Sequence, residues 1–254
     1  MMDPLIVGLI SVVCISIGLL VGLLLQNILP AHHLEEASKD TVKIGAGMLA
    51  TLTALVLGLL VSSAKSSFDA MNTAIASAGA KIIMFDRTLA NYGPEANEVR
   101  HQLRQTVAGA IDRIWSSKKT SPGGLRAAES GTGVETIQMK LNELTPKNKA
   151  QEQLLAQAHQ VANDVAQTRL TSIEEQQNVL PSIFVIFLIF WLVILFFSFG
   201  LFAPRNATVL ALLFFCSLSV SSAIFIVLEM NRPLDGVIKA SNAPLHKALE
   251  LIDK

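Results

Sequence analysis

Four windows of the chain run without a charged residue: Leu5–Leu25, Ile44–Ala64, Ser182–Ala203 and Ala207–Leu228. A helix rises about 1.5 Å per residue, so each window, about 21 residues long, covers the roughly 30 Å hydrocarbon core of a bilayer. The pattern predicts an all-α integral membrane protein with four transmembrane helices. A helical cytoplasmic domain is expected between the second and third spans. The boundaries read as 1–64 for spans one and two and 65–181 for the helical domain. Spans three and four then occupy 182–228, and 229–254 forms a C-terminal tail.

Between the spans the hydrophobic period changes. Phe68, Met71, Ile75, Ala78, Ile82, Phe85, Leu89 and Tyr92 recur at alternating steps of three and four, the spacing of a heptad seam. No Gly-Pro break intervenes before Gly93-Pro94, so the second span is expected to continue directly into the helical domain. Pro94 opens an amphipathic helix with Val99, Leu103, Val107, Ala110 and Ile114 on one face. The stretch 116–133, rich in Ser, Gly and Lys, reads as a loop. Val134, Ile137, Leu141 and Leu144 mark a short helix. Thr145-Pro146 is the expected cap of a further one, with a stripe of Leu154, Ala158, Val161 and Val165. None of these helices can bury its stripe alone. The seam is satisfied either inside the chain or by neighbouring copies.

Composition sharpens this reading. Only 16% of residues are charged against 51% hydrophobic, and mean hydropathy is +0.49. That excludes an ordinary soluble enzyme, a disulfide-stapled secreted domain and a disordered chain. The 65–181 block carries 13 Lys/Arg and 12 Asp/Glu; near neutrality argues against a nucleic-acid partner, which needs a basic face. Cys14 and Cys216 lie inside apolar windows, where a thiol stays neutral and inert. No basic n-region precedes the first window, which reads as a retained span with Asp3 as N-cap and Pro4 at N1. Lys65, Lys81, Arg169, Arg232, Lys239 and Lys247 flank the side carrying the block and both termini, against Lys39, Lys43 and Arg205 opposite. The bias places the block and termini in the cytoplasm of an inner-membrane protein.

Catalytic patterns are scarce. His32, His33, Glu35, Glu36 and Asp40 cluster in the Pro30–Lys43 connection but lack the i, i+4 spacing of a zinc site on a helix, and a solvated loop is the simpler reading. No Walker loop, GxSxG, HExxH or dinucleotide fingerprint occurs. The sequence therefore predicts no enzyme, no cofactor and no metal. No ionisable group lies inside any span, which disfavours a charge-coupled carrier. It leaves room for a channel, which can use backbone dipoles and apolar constrictions.

The second span sorts its residues by size. Gly47, Ala50, Thr51, Ala54, Gly58 and Ser62 fall within about 120° of one another, and Met48, Leu49, Leu52, Leu55, Val56 and Leu59 occupy most of the remainder. Such a face serves either close helix packing or a pathway about a symmetry axis. Gly47, Thr51, Ala54, Gly58 and Ser62 are the candidate pore-lining residues. Gly18 and Gly22 form a GxxxG pair, read as a packing face. Ser217, Ser219, Ser221 and Ser222 of the fourth span do not share one face. The third span, crowded with phenylalanines, is expected to face lipid.

After the fourth span comes Leu228-Glu229-Met230-Asn231-Arg232-Pro233-Leu234-Asp235-Gly236-Val237-Ile238-Lys239-Ala240-Ser241. Pro233 stops a helix and Gly236 permits a tight turn. Glu229, Asn231, Arg232, Pro233 and Gly236 thus read as a membrane-surface motif, with Arg232 and Lys239 near headgroups. The tail resembles that of a bacterial family of bestrophin-like membrane proteins, whose pattern Glu229, Asn231, Arg232, Pro233, Gly236, Ile238 and Ser241 match. Leu57-Gly58-Leu59-Leu60-Val61 followed by Phe68-Asp69 is similar to that family's second span and its continuation. A Glu-Ala pair usual in the family is replaced by Ser77-Ala78, and the calcium-clasp acidic run of animal bestrophins has no counterpart. The resemblance implies a ring-shaped homo-oligomer in the bilayer that conducts a small inorganic ion, an anion by family analogy, with the second span on the axis. The alternative is a membrane-anchored helical interaction or scaffold protein that does not conduct.

Overall fold

The computed structural model describes residues 3–29, 36–115, 132–177, 182–204, 206–234 and 236–252. Among them the ordered elements are helical: α1 (Pro4–Leu25), α2 (Glu36–Tyr92), α3 (Asn97–Trp115), α4 (Thr132–Asn142), α5 (Lys149–Gln177), α6 (Ser182–Phe202), α7 (Ala207–Met230) and α8 (Ala243–Leu251), with a 3₁₀ turn at Pro94–Ala96. Four of them, α1, α2, α6 and α7, are long and apolar enough to cross a membrane. The chain divides into two compact units, one comprising residues 1–66 and 179–231 and the other residues 67–178 and 232–254. Helix α2 contributes to both.

The first unit packs the four apolar helices. Asp3 caps α1, its Oδ1 accepting from the Leu5 N–H at 3.2 Å. Helix α1 buries Ile15 and Leu19 against Val185, Leu188, Leu192 and Phe196 of α6, with Leu60 and Ala64 of α2 and Ile224 and Val227 of α7 completing the cluster. Glycine sets how near the backbones come. A Cβ on Gly22 would lie 2.2 Å from the Phe197 carbonyl oxygen, and one on Gly200 would lie 2.2 Å from that of Leu19. The Gly18/Gly22 pair is therefore a packing face, and its counterpart across the crossing is Gly200. For helices in a bilayer, where hydrocarbon gives no hydrophobic reward for association, contact at this range would supply it. Phe184, Phe187 and Phe190 of α6 stay exposed, whereas Phe196 is buried.

The second unit absorbs the heptad seam. Met71, Ile75, Ile82, Phe85, Leu89 and Tyr92 of α2 are buried with Val99, Leu103, Val107 and Ile111 of α3, Ile137 and Leu141 of α4, and Ala158, Val161 and Ala162 of α5. Of the two ways open to the seam, the fold uses the internal one. Helix α2 stops at Gly93, whose φ of 124° suits a residue without a side chain. A buried ion pair ties α2 to α3: Arg100 Nε and Nη2 donate to Asp86 Oδ1 and Oδ2 at 2.7 and 3.2 Å, and the Asp86 side chain is only 2% exposed. Removing one partner of such a pair strands a charge in a dry site. Arg100→Ala, which leaves the buried Asp86 carboxylate without its guanidinium, is expected to destabilise this unit by about 3–5 kcal/mol, read as an earlier loss of helical signal at 222 nm on heating. At the surface, Lys147 beside Glu95 holds that carboxyl below the ordinary glutamate range and is itself raised. The small stabilisation from this exposed pair is present at neutral pH. It fades as acid protonates Glu95 below the ordinary glutamate value or as alkali discharges Lys147.

The described helices depart from expectation in several places, among them Thr132 and Gly133, which open α4 where the end of a loop was expected. Helix α2 begins at Glu36, not near Ile44, so Asp40 and Lys43 stand one turn apart on a helix and pair at 3.2 Å. Helix α5 is capped by Asn148, not by Thr145-Pro146: its Oδ1 accepts from the Gln151 N–H at 2.8 Å, and asparagine outranks threonine as an N-cap. The tail also forms a helix of its own, α8, where only a surface segment was expected. The 116–131 part of the expected loop lies outside the described residues, as do His32, His33 and Glu35.

Candidate functional site

Three faces divide the apolar part of α2. Thr53, Leu60 and Ala64 are buried in the four-helix packing, while Met48, Leu52, Leu55 and Leu59 are more than half exposed. The third face is the small-residue stripe. Gly47, Thr51, Ala54, Gly58 and Ser62 are all exposed, and a Cβ added at Gly47 or Gly58 would meet nothing within 4 Å. At 100° per residue the stripe's centre lies about 140° from the buried face. Among the described residues, therefore, no other helix packs on the stripe. The structure brings all five candidate residues onto one uncovered strip.

The strip is polar in a restrained way. The Thr51 hydroxyl donates to the Gly47 carbonyl at 2.9 Å, which satisfies its proton and leaves the oxygen's lone pairs outward. No acid or base interrupts the strip between Lys43 and Lys65. The serines of α7 split, as their spacing requires. Ser217 and Ser221 are buried, with Ser217 Oγ donating to the Phe214 carbonyl at 2.8 Å, while Ser219 and Ser222 are exposed.

The tail motif straddles the end of α7. Glu229 is buried in that helix's last turn, and Asn231 closes it, its N–H donating to the Val227 carbonyl at 3.2 Å. Beyond it, the Gly236 N–H donates to the Arg232 carbonyl at 3.1 Å and the Ala240 N–H to the Pro233 carbonyl at 2.7 Å, which closes a compact loop. Pro233 and Leu234 are buried at its base. At its tip Val237 is 76% exposed, followed by Ile238 and Lys239, also exposed.

Residues distant in sequence fix this loop. Trp115 Nε1 donates to the Ala240 carbonyl at 3.1 Å, and Asn72 Oδ1 accepts from the Ser241 N–H at 3.3 Å. At Gly79 a Cβ would lie 2.8 Å from the Pro244 carbonyl oxygen, so α8 is seated directly on the α2 backbone. Asn72, Gly79 and Trp115 carry no motif, and sequence reasoning missed them. The Leu245, Ala248, Ile252 spacing behind Pro244 was the available signal for α8.

Residues 12–245 match the family model for the Bestrophin-like domain. The chain belongs to the bestrophin-like family. No curated protein and no solved structure matches it. Among the described residues no group of three His, Cys, Asp or Glu side chains could hold a metal ion, and Cys14 and Cys216 are both free thiols.

Proposed function

We propose that this bestrophin-like protein is a homo-oligomeric ion channel of the inner membrane, permeable to a small inorganic anion, with Gly47, Thr51, Ala54, Gly58 and Ser62 lining its path. The observation that carries the proposal is the uncovered strip on α2. One chain cannot enclose a pore with a face that points away from its other three helices. Several copies arranged about an axis can, and small side chains leave the bore open. The absence of acidic side chains along the strip suits an anion, which backbone dipoles and hydroxyls can accompany.

In this reading α1, α2, α6 and α7 span the bilayer, and the second unit and both termini are cytoplasmic, as the basic residues flanking the spans favour. The loop formed by Arg232, Pro233 and Gly236, directly after Glu229 and Asn231, rests on the membrane surface. Exposed Val237 and Ile238 reach the headgroup boundary there and Lys239 meets anionic lipid. A non-conducting scaffold is the competing reading, but internal burial of the heptad seam removes the docking surface it would use.

The test is a recording from purified protein in planar bilayers, with the oligomeric mass measured in the same preparation. The expected result is unitary current from an oligomer, with reversal potentials that follow the anion gradient. A confirmed oligomer that stays silent in every salt gives the scaffold reading instead.

A further inference from the structure

The helical unit formed by residues 67–178 and 232–254 contains an apolar cavity of about 210 Å³. Its walls include Ile82, Phe85, Leu103, Val107, Ile137 and Leu245, all buried. An engineered apolar cavity of about 150 Å³ already takes up benzene, so this one is large enough to hold a guest. Its polar lining is sparse and one-sided. The Thr106 hydroxyl has already given its proton to the Gln102 carbonyl, at 2.8 Å. Among the described residues Arg113 is the one charged residue on the lining, and it is exposed. Its Nε donates to the Gly109 carbonyl of its own helix at 2.9 Å. Its two terminal nitrogens are the donors left for a guest, and no ion pair among the described residues engages them.

From this arrangement we infer that the cavity binds a single-chain fatty carboxylate, its alkyl tail among the buried apolar walls and its carboxylate on Arg113. The walls exclude a polar body. The available donors are a planar cationic fork, which matches a carboxylate in shape and charge. The volume suits one alkyl chain rather than a two-chain lipid. The inference does not rest on conduction, and its failure leaves the channel reading as it was.

Radiolabelled laurate is the probe, in equilibrium dialysis of the full chain in phosphatidylcholine nanodiscs against empty discs, which subtracts partitioning into lipid. The expected result is saturable excess binding of one laurate per chain. Arg113→Gln, at an exposed position that the fold does not depend on, should weaken laurate about tenfold and leave dodecanol unchanged. Ala162→Phe, which fills the cavity, should remove both while the thermal midpoint holds or rises. Two results overturn the inference: no saturable excess over empty discs, or laurate affinity that Arg113→Gln leaves intact. Because Arg113→Gln decides the matter, a poorly folding Ala162→Phe protein does not rescue it.

Discussion

Gly58→Phe and Ala54→Phe are expected to abolish unitary current while the protein still folds and assembles. The argument rests on what surrounds each position. Beyond its own helix backbone, no atom of the described residues lies within 4 Å of a Cβ built at Gly58, and Ala54 is likewise exposed. A side chain there starts in open space away from the other described helices, so loss of current at unchanged oligomeric mass is assigned to the path rather than to a damaged fold. If copies meet with this strip around an axis, each substitution enters the bore once per subunit. A ring of phenyl groups then forms an apolar plug that excludes hydrated ions. The paired controls are Leu55→Phe and Leu59→Phe on the bulky face, which are expected to conduct. Normal currents from Gly58→Phe, in protein of unchanged oligomeric mass, mean that the strip faces something other than the path.

The second large effect concerns the crossing of α1 and α6. Gly22→Ala and Gly200→Ala each force a methyl carbon to 2.2 Å from a backbone oxygen, of Phe197 and Leu19 respectively. A side chain in the way could rotate aside, but a carbonyl held in a helix cannot. The helices must separate and lose the packing of Ile15, Leu19, Leu188 and Leu192. Overpacking of this kind typically costs about 1–3 kcal/mol and occasionally more, and rigid backbone on both sides places these positions at the upper end. Gly22→Leu and Gly200→Leu are expected to yield no folded, monodisperse protein on size exclusion. Gly47→Ala, which meets nothing within 4 Å, should behave as the parent in the same assay. Well-folded Gly22→Leu protein would mean that α1 and α6 do not cross in backbone contact.

The apolar helices and the seam were legible in the sequence for a simple reason. A charge-free run long enough to cross a bilayer as a helix finds no adequate cover in a small water-soluble fold. A sustained three-four spacing likewise identifies the face that Met71, Ile82 and Leu89 bury. The small-residue face was legible too, because its period is that of one helix. Whether it is covered depends on where α1, α6 and α7 pack, and the order of residues along α2 does not encode that. Gly200 stands alone among phenylalanines with no partner at i+4, so its closeness to Leu19 appears only once α1 and α6 are paired. Asp86 and Arg100 are fourteen positions apart on different helices, beyond any local spacing rule. The tail's anchorage escaped notice because Trp115 and Asn72 each give it a single hydrogen bond to backbone, a contact indifferent to the identity of the residue it reaches.

The most direct test of an axial, water-filled path along α2 is cysteine accessibility. Cys14 and Cys216 are first replaced by alanine, which leaves a background without thiols. Single cysteines then go in at Thr51 and Ser62 on the strip and at Met48 and Leu55 on the bulky face. A charged, membrane-impermeant thiol reagent applied during recording is predicted to block current at Thr51→Cys and Ser62→Cys, and to leave Met48→Cys and Leu55→Cys untouched. Block on the bulky face with the strip unreactive would contradict the account, because water would then run along the opposite side of the helix.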